Sequence, residues 1–121
     1  MIQLKRIYDP PSPSDGFRVL VDRLWPRGVT KEAAKLDLWA KDLGPSTALR
    51  QWFHHEPRLW EEFRARYREE LAGQAEAVAK LRAECAGRRT TLLYGAKDQT
   101  HNQAVLLKEV LEAEEPAREN G

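Results

Sequence analysis

The sequence predicts a small α/β domain in which a parallel or mixed four-stranded sheet is covered by helices, with flavodoxin-like or Rossmann-like layering. Three observations carry this. Short β-rich apolar runs alternate with stretches of helical periodicity along the 121 residues. Each run closes on a cluster of Pro, Gly, Asp or Ser that ends ladder pairing. Apolar residues at Trp60, Phe63, Tyr67, Leu71, Ala75, Val78, Leu81 and Cys85 recur every three or four positions, the signature of a helix with one buried face. The length suits one domain spanning residues 1–121, with an acidic tail that frays from about residue 115.

Residues 2–8 alternate apolar and polar side chains and stop at Asp9-Pro10-Pro11, which reads as a strand. Residues 17–24 are nearly continuous in apolar content, as expected of a central strand covered on both faces. Trp25-Pro26-Arg27-Gly28 breaks that strand, and Thr30 is a suitable N-cap for a short helix to residue 36. Residues 37–41 predict a third, short strand. Ser46 caps a helix whose apolar side is Leu49, Trp52 and Phe53. Pro57 opens the long helix, which Gly73 can bend or divide and Gly87 can stop. Thr90-Thr91-Leu92-Leu93-Tyr94 predicts the fourth strand. A helix is expected over residues 100–114, with Thr100 and Gln103 at capping-box spacing.

Hydrophobic residues make up 41% and charged residues 32%, the balance of a packed globule, and the formal net charge of +1 gives no global case for polyanion binding. Cys85 is the only cysteine, which excludes an intrachain disulfide and predicts a reducing compartment. No run reaches the roughly 18 apolar residues of a membrane span. The expectation is therefore a cytoplasmic protein without a membrane partner. Phosphate-loop, dinucleotide-loop, nucleophile-elbow and metalloprotease motifs are missing, so the sequence names no cofactor. It assigns no oligomeric state either.

The distinctive polar residues fall just after the predicted strands. Parallel strands would bring their carboxyl ends to one sheet edge, where open α/β folds hold ligands. Arg23, Trp25, Arg27, Lys41, Ser46, Arg50 and Lys97 would then serve a small anionic ligand of phosphate or nucleotide type. Any chemistry would use Asp22, Asp98 or His101 as the acid or base. Each has a structural alternative: Asp22 with Arg23, and Lys97 with Asp98, as loop-fixing ion pairs; Ser46 as a helix cap; the four tryptophans as core. His54 and His55 are adjacent and diverge on a helix, so no metal site is expected. Cys85 falls on the apolar stripe and reads as a small hydrophobe. The alternatives to a small-ligand site are nucleic-acid binding, through Trp25 and the face of Arg58, Arg64, Arg66 and Arg68, or a non-catalytic interaction module.

The string Asp22-Arg23-Leu24-Trp25-Pro26-Arg27-Gly28, with Trp39-Ala40-Lys41, Leu49-Arg50-Gln51-Trp52-Phe53 and Tyr94-Gly95-Ala96-Lys97-Asp98, resembles the YeaO-like branch of domain-of-unknown-function family 488. The resemblance runs from Leu4 to about Leu111 and implies a small bacterial-type α/β domain, without an activity to carry over. Other branches of that family carry a cysteine-containing motif after the last strand. Here Tyr94 and Gly95 stand in its place, so thiol chemistry does not transfer.

Overall fold

The computed structural model describes residues 1–113; the acidic tail expected from about residue 115 lies outside them. Four strands, β1 (Ile2–Arg6), β2 (Phe17–Leu20), β3 (Leu38–Trp39) and β4 (Thr90–Tyr94), form one sheet in the order β1-β4-β2-β3. Every pairing is parallel, with Leu4 opposite Leu92, Val19 opposite Leu92 and Val19 opposite Leu38. The last strand in the chain therefore slots between the first two. Its five residues are all buried, as expected of a strand covered on both sides.

Alternation along the strands divides the apolar side chains between two faces. Ile2, Val19, Val21, Leu92 and Tyr94 point into the main core, closed by helices α2 (Thr47–Phe53), α3 (Trp60–Ala72), α4 (Ala75–Cys85) and α5 (Gln103–Glu112). Phe53, Phe63 and Tyr67 form a chain of rings within it, Phe53 stacking on Phe63 at 4.4 Å. The opposite face is thinner. Leu20 and Leu93 are covered there by Ile7, by Ala34 from the one-turn helix α1 (Lys31–Ala34), and by the half-buried Trp25 and Trp39.

That thin face buries a charged network. Arg18, in the middle of β2, gives Nη1 to Asp15 Oδ2 at 2.5 Å and Nη2 to the Ala34 carbonyl at 2.7 Å, while its Nε is shared by the Ala34 and Lys35 carbonyls. Asp15 also takes Lys5 Nζ at 3.0 Å and the Ser12 N–H at 2.9 Å. One guanidinium thus ties β1, the β1–β2 loop, β2 and the carbonyl end of α1. Burial pushes the Asp15 carboxyl up, but the Ser12 N–H, Lys5 and Arg18 outweigh it and hold it below its ordinary value.

Thr30 caps α1 through the Ala33 N–H and Ser46 caps α2 through the Leu49 N–H, as the sequence predicts. The long helix divides at Gly73 and Gln74, as the glycine there allowed; Ala75 of the expected stripe is exposed, while Val78, Leu81 and Cys85 return to the core. Further expectations need correction. The final helix starts at Gln103 rather than near residue 100. Its cap is Asn102, whose Oδ1 accepts the Ala104 and Val105 N–H groups, and Thr100 bonds to Asp98 instead. The tryptophans expected in the core are all half-buried. No helix among the described residues is long and apolar enough to cross a membrane.

Replacing Arg18 by Ala leaves Asp15 with one fewer counter-charge and the Ala34 and Lys35 carbonyls without this donor. Urea denaturation should register a loss of about 3–5 kcal/mol. A loss below about 1 kcal/mol would mean that this network does not hold the thin face together.

Candidate functional site

Because all strands are parallel, their carboxyl ends share one edge. A cleft of about 270 Å³ opens there, lined by Tyr8 after β1, residues 22–26 after β2, Gly95 and Ala96 after β4, Arg50 and His55 from α2 and its exit, and Gln103 at the start of α5. A second depression of about 260 Å³ shares Arg50, His55 and Gln103 and runs on toward Pro45, Phe53, Phe63 and Asn102. Arg50 stands where the two meet.

Asp22 is anchored in the cleft through both carboxylate oxygens. Its Oδ2 accepts the Gly95 N–H at 2.9 Å, and its Oδ1 accepts the side-chain amide of Gln103. A Cβ on Gly95 would come within 3.0 Å of Asp22 Oδ2, so a glycine lets the backbone approach the carboxylate. Arg6 holds that same loop from β1, giving Nε to the Ala96 carbonyl at 2.8 Å and Nη2 to the Gly95 carbonyl at 3.2 Å. Burial pushes the Asp22 carboxyl up to about 6, against the pull of the Gly95 N–H, Gln103 and the Arg50 charge.

Arg50 is set by the start of its helix. Glu70 of α3 accepts both the Ser46 N–H at 2.8 Å and the Ser46 hydroxyl at 2.5 Å, which fixes the first turn of α2. The Arg50 Nη2 reaches Thr47 Oγ1 at 3.4 Å, and its Nε is buried without a hydrogen-bond partner. A charged donor in that state is costly unless something else supplies an acceptor. After α2 the chain turns through His54 and His55, both left-handed at φ 45° and 56°, and this delivers His55 to the cleft wall.

The cations expected to meet at this edge do so only in part. Arg23 lines the cleft, but its Nε and Nη2 donate to the Pro45 and Gly44 carbonyls at 3.0 Å each, pinning the loop before α2. Trp25 lines the cleft with its ring edge-on to Trp39 at 5.3 Å, and its Nε1 donates to the Val29 carbonyl. Arg27 is exposed; its carbonyl, not its guanidinium, is engaged, by the Tyr8 hydroxyl. Lys41 lies over the Trp39 ring in a separate depression beside α4. Lys97 is exposed and outside the cleft lining. Ser46 serves its helix cap and Glu70.

Asp98 and His101 also stand apart from the cleft lining. Asp98 Oδ1 accepts the Thr100 and His101 N–H groups, and His101 Nδ1 lies 2.9 Å from Asp98 Oδ2. The Thr100 N–H and its neighbours hold the Asp98 carboxyl well below the usual carboxylate range. The loop-fixing pairs expected between sequence neighbours do not form: Asp22 is held by Gly95 and Gln103, and Asp98 by Thr100 and His101. Among the described residues no group of three or more His, Cys, Asp or Glu side chains could hold a metal ion. Sequence reasoning missed Tyr8, His55, Gly95 and Gln103 as cleft residues. A neutral amide at a helix start carries no compositional signal, and only the fold brings Gln103 to Asp22.

A family model described as the inactive DUF488-N3 subclade, DUF488-N3i, matches residues 1–121. Over 111 residues the chain is 50% identical to an uncharacterised Escherichia coli protein, YeaO, which covers 91% of this chain and 96% of that protein. It is 38% identical over 110 residues to the uncharacterised Mycobacterium bovis protein Mb3100c, and equally so to Mycobacterium tuberculosis Rv3073c, with 91% of this chain and 92% of each relative covered. No solved structure matches it. The chain belongs to the DUF488-N3i family.

The Asp22 carboxyl gives a testable pH dependence. Its folded-state value lies above the unfolded value near 4, so the folded protein takes up the proton more readily. The stability gained from that proton is full below about pH 4 and is lost as pH rises through about 6. Relative to Asp22→Asn, the native protein should lose on the order of 1–3 kcal/mol between about pH 4 and 7. Urea titrations across that window check it, and parallel curves for the two proteins would contradict it.

Proposed function

We propose that this member of the DUF488-N3i family binds a small anionic ligand, of phosphate or nucleotide type, in the strand-end cleft, and that it does so without turning the ligand over. The observation that carries the reading is Arg50. Its Nε is buried with no partner among the described residues, at the junction of two depressions open to a ligand. An oxyanion in the cleft would accept from the guanidinium Nη groups, of which Nη2 makes only a long bond to Thr47, and balance the charge. Arg23 contributes positive potential from behind, through a guanidinium already held by two carbonyls. Tyr8 and Leu24, 47% and 60% exposed, with the half-buried Trp25, give an apolar rim on which the organic part of a ligand can rest.

The reading without turnover is supported by how two of the three acid–base candidates are used, which leaves Asp22 in the cleft without Asp98 or His101 beside it. Asp98 and His101 spend their hydrogen bonds on each other and on the loop before α5, and neither lines the cleft. The description of the matching family model as inactive supports the same reading. Nucleic-acid binding is less well supported. Arg64 and Arg68 both engage Glu109, Arg66 engages Glu62 and Arg58 lies near Glu56, so that outer face offers little surplus charge.

A thermal-shift series with inorganic phosphate and 5′-nucleotides tests the proposal. Saturating ligand should raise Tm by on the order of 10 °C, because occupancy near 100 Kd is worth about 2.7 kcal/mol. Arg50→Ala should abolish the shift, while Lys97→Ala and Lys41→Ala should keep it. No shift with any anion, or an unchanged shift in Arg50→Ala, would refute the proposal.

A further inference from the structure

The cleft pairs one cation with one carboxylate, and that pairing restricts which anions fit. Arg50 offers only donors. Asp22, when ionised, offers only acceptors: Oδ2 is taken once by the Gly95 N–H and Oδ1 once by Gln103, which leaves each oxygen a further lone-pair direction. An oxyanion drawn to Arg50 therefore meets a like-charged carboxylate in the same cavity, unless a proton lies between them.

We propose that the cleft selects an oxyanion that carries its own proton, namely inorganic phosphate or a phosphomonoester, and discriminates against isosteric anions that lack one, such as sulfate. The inference rests on the anion-binding reading given above. The ligand hydroxyl donates to Asp22 while its other oxygens accept from Arg50, so each side of the cleft meets its complement. A phosphomonoester loses its second proton near pH ~6, and Asp22 titrates at about 6, so one proton can serve both partners across the neutral range.

The surroundings of Asp22 permit this arrangement. From α2 comes Arg50 and from its exit His55; from the loop after β4 the Gly95 N–H; from α5 the neutral Gln103; and from after β1 the Tyr8 hydroxyl, which is spent on the Arg27 carbonyl. The neighbouring Arg23 is spent on the Gly44 and Pro45 carbonyls, and Tyr67 of α3 gives its hydroxyl to the Leu43 carbonyl at 2.5 Å. Burial pushes the Tyr67 hydroxyl well above its usual range, so it stays neutral. Among the described residues no second carboxylate lines the cleft to take the role of Asp22.

Titration calorimetry of the full chain with sodium phosphate and with sodium sulfate at about pH 8, where Asp22 is ionised and inorganic phosphate still carries a proton, tests this, with phosphate expected to bind at least about tenfold more tightly. In Asp22→Asn the side-chain oxygen can still accept the Gly95 N–H, and Gln103 can turn its amide to accept from the new NH₂. That variant should bring the two anions within about threefold of each other, chiefly by tightening sulfate. Sulfate binding as tightly as phosphate in the native protein would overturn the inference and leave the anion site standing. So would an unchanged preference in a folded Asp22→Asn. The native comparison needs no variant, so misfolding of Asp22→Asn cannot protect the inference. If neither anion binds the native protein, the anion site itself fails.

Discussion

The insertion of β4 between β1 and β2 is the constraint on which the rest depends. The two N-terminal strands do not pair with each other; each pairs with Thr90–Tyr94, so the sheet exists only once the distant strand is in place. This parallel arrangement is what puts all the strand exits on one edge. It also puts the Gly95 N–H beside Asp22, and it starts α5 where Gln103 can reach the same carboxylate. The non-local pairing carries a large loop-closure cost, which favours a fold that forms late and as a unit.

The two faces of the sheet are held by different physics. On one, four helices bury a continuous apolar core, closed by the ring chain from Phe53 to Tyr67. On the other, a single helical turn and two half-buried indoles cover Leu20 and Leu93, and Arg18 with Asp15 supplies through directed bonds what apolar area does not. Buried ion pairs of this kind add little net stability, but breaking one is expensive. Both faces lead into the cleft: α2 brings Arg50 from the thick side, and the exit of β2 brings Trp25 from the thin one.

The fold was largely legible in the sequence. Alternation and Pro-Pro marked β1, continuous apolar content marked β2, and Thr90–Tyr94 emerged with the bounds the structure has, because these signals are local. Ser46 and Thr30 were readable as caps for the same reason. The start of α5 was not, since Thr100 and Asn102 are both capable caps and tertiary geometry decided for Asn102. In the candidate site, the edge and four of the residues lining its cleft, Asp22, Arg23, Trp25 and Arg50, could be named from strand ends and helix turns. Which cations converge could not, because a lysine after a strand is equally free to lie on a tryptophan, as Lys41 does, or to face solvent, as Lys97 does. Carbonyl acceptors decided the fate of Arg23, and backbone carbonyls leave no trace in composition.

The half-burial of all four indoles has a practical side. Trp25 forms part of the cleft wall and meets Trp39 edge to face at 5.3 Å, while Trp52 and Trp60 sit on the helical side under the guanidinium groups of Arg66 and Arg64. Intrinsic emission from this protein is thus a composite of two indoles on the thin face, one of them in the cleft wall, and two on the outer helices. A molecule entering the cleft would change the surroundings of Trp25, so the chain carries its own unlabelled optical reporter of occupancy.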